Sequence, residues 1–145
     1  MDFVVAITVV YRKKALCPIY IYVFLNGIFA GFSTWWIPYT YIWTILWAFI
    51  MLIPRNIPRK IAIPVYIGVA MLHGFMYGLL YSPFQAWYMH FNLNQTMAWV
   101  IAGLPWDIVH GIGNAVLGVL IWPLSSTLMK LESRFVVSSR RRTKS

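Results

Sequence analysis

Forty consecutive residues, Ala15 to Pro54, contain no Asp, Glu, Lys or Arg. A soluble domain of ordinary composition carries about 25% charged residues, so a run of this length has no face to offer water. Residues 61–129 repeat the pattern with one exception, Asp107. Across all 145 residues the chain is 61% hydrophobic and 10% charged, with a mean hydropathy of +0.70. The same figures exclude disorder, collagen, coiled coil and small disulfide-stapled secreted folds, and the single Cys17 cannot form an internal disulfide. What remains is an all-α integral membrane protein, a compact transmembrane helix bundle.

The charges that do occur are arranged. Twelve Lys and Arg against three Asp and Glu give a net charge of +9. The basic residues fall in three clusters: Arg12 to Lys14; Arg55, Arg59 and Lys60; and Lys130, Arg134, Arg140, Arg141, Arg142 and Lys144. A basic chain often binds nucleic acid, but these clusters flank apolar runs, and the positive-inside rule accounts for them. Each is expected to face the cytoplasm. The chain then reads as a multi-pass protein of the cell (plasma) membrane with a cytoplasmic C-terminus, its partner the lipid bilayer and not nucleic acid.

A spanning helix needs about 20 residues. Residues 15–54 leave the cytoplasm and return, which predicts helices over 15–32 and 36–53. Between them lies a turn with Gly31, Ser33, Thr34 and the pair Trp35-Trp36. Residues 61–129 also begin and end inside, which predicts helices over 61–81 and 106–129. The intervening outer segment, 82–105, holds an apolar stretch over 96–104, too short to cross. It reads as a re-entrant or interfacial half-helix, or as part of a tilted one. The sequon-like Asn94-Gln95-Thr96 is best read as a cap for it. Phe3–Tyr11 is a nine-residue apolar stub, either lying along the interface or forming the end of a further helix. Residues 1–131 are thus a membrane domain of four full crossings, and 132–145 a basic cytoplasmic tail.

Small residues four apart let backbones approach closely in lipid. Gly27 and Gly31, Gly74 and Gly78, and Gly111 and Ala115 are such pairs, suited to packing within a bundle or to docking a membrane partner.

The last predicted helix carries the chemistry. Asp107, His110 and Asn114 are spaced i, i+3, i+7 and share one helical face. An ionisable residue inside a membrane segment marks a functional candidate. Two readings of Asp107 stand: it caps the start of its own helix, or it belongs to a polar face for ligand binding that Asn114 extends by a turn. A second stripe, His73, Tyr77 and Tyr81, lies on the third predicted helix; His73 is either a packing residue or part of a cavity wall. If the stripes face each other they line a cavity toward the outer side, closed by Asn26, Trp36, Tyr39 and Trp43. An aromatic cavity with few polar anchors suits a small molecule, here a neutral or cationic one. Asp107, His73 and His110 would hold a divalent metal only if they converged; their spacing does not demand it, and no metal or cofactor is expected. The sequence has no Gly-x-Ser-x-Gly, His-Glu-x-x-His or phosphate-binding glycine loop, and the chain reads as a non-enzyme.

The segment from Ala102 to Asn114, containing Gly103-Leu104-Pro105-Trp106-Asp107 and His110-Gly111, followed by an apolar helix and Trp122-Pro123-Leu124, resembles the last-helix signature of substrate-binding (S) components of energy-coupling factor (ECF) transporters. The likeness extends in general character over residues 20–130. It implies a six-helix protein with both ends in the cytoplasm. Such a subunit binds a vitamin or other micronutrient and docks on a transmembrane coupling subunit driven by two ATPases. It implies that Asp107, His110 and Asn114 shape the outer end of the last helix near the pocket. With four crossings counted, the chain is expected to be a member shortened at its N-terminus. The competing reading is a non-transport membrane accessory or assembly protein that binds a partner through its glycine-rich helix faces.

Overall fold

The computed structural model describes the backbone of residues 1–142 and the side chains of residues 1–134. Every regular element among them is helical: α1 (Asp2–Tyr11), α2 (Leu16–Ala30), α3 (Tyr39–Leu52), α4 (Arg59–Phe75), α5 (Tyr77–Met89), α6 (Leu93–Leu117) and α7 (Ile121–Arg142). Without water in a bilayer, a spanning backbone must satisfy its own polar groups. That requirement overrides the modest helix preference of the many Ile, Val, Tyr and Trp residues. Three stretches are long and apolar enough to cross a membrane: Thr34–Leu52, Arg59–Met89 and Leu93–Arg134. Helix α2 has 15 residues, about 22 Å of helix, and is shorter than a usual span. It stops at Gly31, whose φ of 86° lies in the left-handed half that glycine adopts without penalty.

The framework is an antiparallel pair. Helices α4 and α5 run against α6 and α7, in register from Arg59 over the Trp122 ring (4.6 Å), through Ala70 and Asn114, to Gly78 and Asp107. The break between α4 and α5 is a single residue, Met76.

Two expectations are corrected here. Residues 96–104 do not form a separate half-helix, nor does a helix open at 106. Helix α6 begins at Asn92, whose side chain accepts from Gln95 N (3.0 Å) while Gln95 Oε1 accepts from Asn92 N (2.9 Å), a reciprocal cap. It runs through Pro105 without ending, because a proline removes one donor and helices packed in a membrane tolerate that loss. Asn92, and not the sequon residue Asn94, is the cap. Nor does the apolar stub lie along an interface. It is α1, and Val4, Val5, Ala6, Ile7, Thr8 and Val10 are all buried against α3, α4 and α7. A helix apolar on all sides belongs inside. At the other end α7 continues through Glu132 to Arg142; residues 143–145 of the expected tail lie outside the described ones.

Arg12 joins two basic clusters at one end of the bundle. Its guanidinium donates to the carbonyls of Ile50 (3.3 Å), Met51 (3.0 Å) and Ile53 (3.1 Å), at the C-terminal end of α3 where carbonyls run out of i+4 partners. Its own carbonyl accepts from Trp47 Nε1 (3.0 Å). Arg12→Gln is expected to cost about 1.5–3 kcal/mol, the range for charge-assisted bonds. Thermal unfolding of the purified protein checks this, and an unchanged midpoint would show that water replaces the guanidinium freely.

Candidate functional site

The site depends on how the α4–α6 pair is spaced. Gly74 faces Gly111: a Cβ built on Gly74 would sit 2.9 Å from both the Cα and the N of Gly111 and 2.6 Å from Asn114 Nδ2. Only glycine permits this approach. It lets Asn114 donate to the Ala70 carbonyl (3.0 Å) and to Met1 Sδ (2.8 Å). Ala115 is half-buried beside it. Gly78 makes a second close contact, with a built Cβ 2.6 Å from Asp107 Oδ2. Gly27 is covered by the Phe32 ring of its own turn, and Gly31 is the end of α2. Neither of these two packs one helix on another: Phe32 covers Gly27, and Gly31 has nothing within 4 Å.

Above the glycine contact the helices part around a cavity of about 270 Å³ lined by Tyr22, Asn26, Tyr39, Trp43, Tyr77, His110, Asn114 and Met1. Its walls come from α2, α3, α5 and α6. The rings meet edge to face: Tyr39 on Trp43 (5.8 Å), Tyr22 on Trp43 (5.9 Å) and Tyr77 on His110 (5.2 Å). Asn26 is fixed by donating to Tyr22 O (2.8 Å). The Trp43 indole N–H is buried and has no hydrogen-bond partner. A second cavity of about 290 Å³ shares Tyr77 and His110 as a common wall and continues past Gly78, Tyr81, Trp99, Trp106 and Asp107. Tyr77 lies 18 residues beyond Arg59, about 27 Å along the helix, so this cavity lies toward the end opposite the basic clusters. Tyr81 stacks on Trp99 there (5.8 Å, 27°).

No family model, curated protein or solved structure matches the chain.

The two predicted stripes do face each other. Of the eight residues predicted to bind substrate, Asn26, Tyr39, Tyr77, His110 and Asn114 line the central cavity. Asp107 lines the outer one with Tyr77 and His110. His73 lines neither. It is fully buried, with Nε2 3.1 Å from Ile42 O, Nδ1 3.3 Å from Met1 Sδ and its ring stacked on Trp43. Trp36 is also elsewhere, donating to Val23 O (2.7 Å) and packing on Phe32. Among the described residues no three His, Cys, Asp or Glu side chains converge on a metal-sized site. Tyr22 was missed by sequence reasoning, although it lies one turn before Asn26 on the same face.

Asp107 does act as a cap, but of another helix. It lies fifteen residues inside α6 and accepts from Gly78 N through both oxygens (3.0 and 3.1 Å). Gly78 N is one of the orphan donors at the start of α5, where a carboxylate is also favoured by the helix dipole. Asp107→Ala is expected to destabilise the fold by about 1–2 kcal/mol. Asp107→Asn, which keeps an acceptor oxygen, is expected to lose less. Equal unfolding midpoints for the two variants would remove the capping role.

Proposed function

We propose that the chain is a membrane-embedded substrate-binding subunit for uptake of a vitamin or other micronutrient, working with a transmembrane coupling subunit and ATPases. One observation carries the proposal: four helices converge on a cavity lined by aromatic rings and by polar side chains, of which Asn26 and Asn114 are oriented by hydrogen bonds, an arrangement suited to a small molecule. The adjoining outer cavity supplies an approach from the end away from the basic clusters, which the positive-inside rule assigns to the external face. Tyr22, Tyr39, Trp43 and Tyr77 favour a flat neutral or cationic ring system, through stacking and cation–π attraction.

The accessory-protein reading needs open glycine faces. Gly74, Gly78 and Gly111 are spent on contacts inside the chain, while Gly31, Gly68, Gly103 and Gly113 have nothing within 4 Å and stay open to a partner. A thermal-shift screen of the purified protein against water-soluble vitamins tests the proposal. A ligand at a hundred times its Kd should add about 2.7 kcal/mol of stability. A flat response from a folded protein across the set would count against it.

A further inference from the structure

At the basic end a third cavity, of about 200 Å³, opens between α1, the segment joining α3 to α4, α4 and α7. Arg59, Ala62 and Tyr66 line its α4 wall at i, i+3, i+7, so the wall descends about 10 Å from rim to floor. Arg55 and Arg59 supply two positive charges at the rim against one carboxylate, Glu132. Arg59 is steadied there by lying over the Trp122 ring, 4.6 Å from its centroid. Below the rim Val9, Val10, Ala62 and Met129 make an apolar lining. Tyr66 is only 4% exposed, and its hydroxyl has no protein hydrogen-bond partner among the described residues. A positive rim, an apolar interior and an unpaired tyrosine hydroxyl fit a phosphodiester joined to a hydrocarbon body.

We propose that this cavity binds the headgroup of an anionic membrane phospholipid, its phosphate between Arg55 and Arg59 and its glycerol region reaching Tyr66. The positive-inside rule asks only for charge near the membrane. It does not ask for a cavity behind the charge, nor for a tyrosine left unpaired in its wall. Arginine suits the task because its planar fork matches phosphate oxygens two at a time. The site is separate from the central cavity and stands whether or not that cavity binds a micronutrient.

Native mass spectrometry of the full chain, exchanged into detergent with either phosphatidylglycerol or phosphatidylcholine, tests the proposal. The wild type should retain one phosphatidylglycerol and shed phosphatidylcholine. The double variant Arg55→Gln/Arg59→Gln should retain roughly 10–30-fold less, from about 1 kcal/mol per basic residue. Tyr66→Phe, which leaves the packing intact, should show a smaller loss, and Lys13→Gln/Lys14→Gln none. Equal retention of phosphatidylcholine, or an arginine double variant that binds like wild type, would overturn the proposal. So would a loss in the lysine control as large as in the arginine pair, since that would be diffuse charge. Displacement of phosphatidylglycerol by inorganic phosphate would overturn the lipid as the source, leaving a free-phosphate site.

Discussion

Gly74→Leu is expected to yield no folded protein, and Gly74→Ala to cost about 1–3 kcal/mol, the range for forcing extra atoms into a packed core. The reason is what a new Cβ would strike. At Gly74 it would meet backbone, the N and Cα of Gly111, together with the Asn114 amide. Backbone cannot rotate aside, so α4 and α6 would have to separate and the Asn114 bond to Ala70 would lengthen. Gly111→Ala differs, because its Cβ would meet the ring of Phe75, and that side chain is 37% exposed and free to swing outward. Gly68, Gly103 and Gly113 have nothing within 4 Å. Alanine there should be neutral, or stabilising by up to about 1 kcal/mol from helix preference. Unfolding midpoints of the alanine variants in one detergent give the order directly. If Gly74→Ala proves as mild as Gly113→Ala, the close approach of the two helices is wrong.

Trp43→Phe is expected to weaken the affinity for a bound micronutrient about two- to fivefold, since phenyl offers a ligand less area and a weaker ring quadrupole than indole, a difference of roughly 0.5–1 kcal/mol. It should leave a folded protein. The indole N–H has no partner to lose, and a phenyl ring retains much of the contact with Tyr39 and Tyr22. Trp47→Phe provides the contrast. Trp47 donates to the Arg12 carbonyl and does not line the cavity, so its replacement should lower the unfolding midpoint and leave ligand affinity alone. Isothermal titration of the two variants with the stabilising vitamin separates the effects. Unchanged affinity in Trp43→Phe would show that the ligand does not rest on the Trp43 ring.

Much of this geometry was legible in the residue order. The empty charge runs located the apolar helices, and the three basic clusters gave one end of the bundle. The spacing of Asp107, His110 and Asn114 put them on the face that meets α4 and α5. Pro105 misled because a helix boundary and a tolerated proline look alike in sequence, and the decisive cap, Asn92 with Gln95, lies thirteen residues earlier. His73 and Tyr77 seemed to share one stripe. The break at Met76 separates them, sending the histidine to Ile42 and the tyrosine to the cavity. Trp36 was drawn to the cavity by composition, yet its indole N–H is claimed by a carbonyl of α2. The burial of α1 had no periodic signal at all, since a helix apolar all round presents no stripe.

That last helix has a consequence for biogenesis. The ten residues described for α1 extend about 15 Å, less than the thickness of a bilayer core. Its walls are α3, α4 and α7, and its Ala6 carbonyl lies near Ser125 Oγ at 3.5 Å, more than a hundred residues downstream. A ribosome makes α1 well before any of these partners exist. Contacts so distant in sequence form slowly, so the seat of α1 is complete only once α7 arrives, making the earliest of these helices to be synthesised among the last to be fully enclosed.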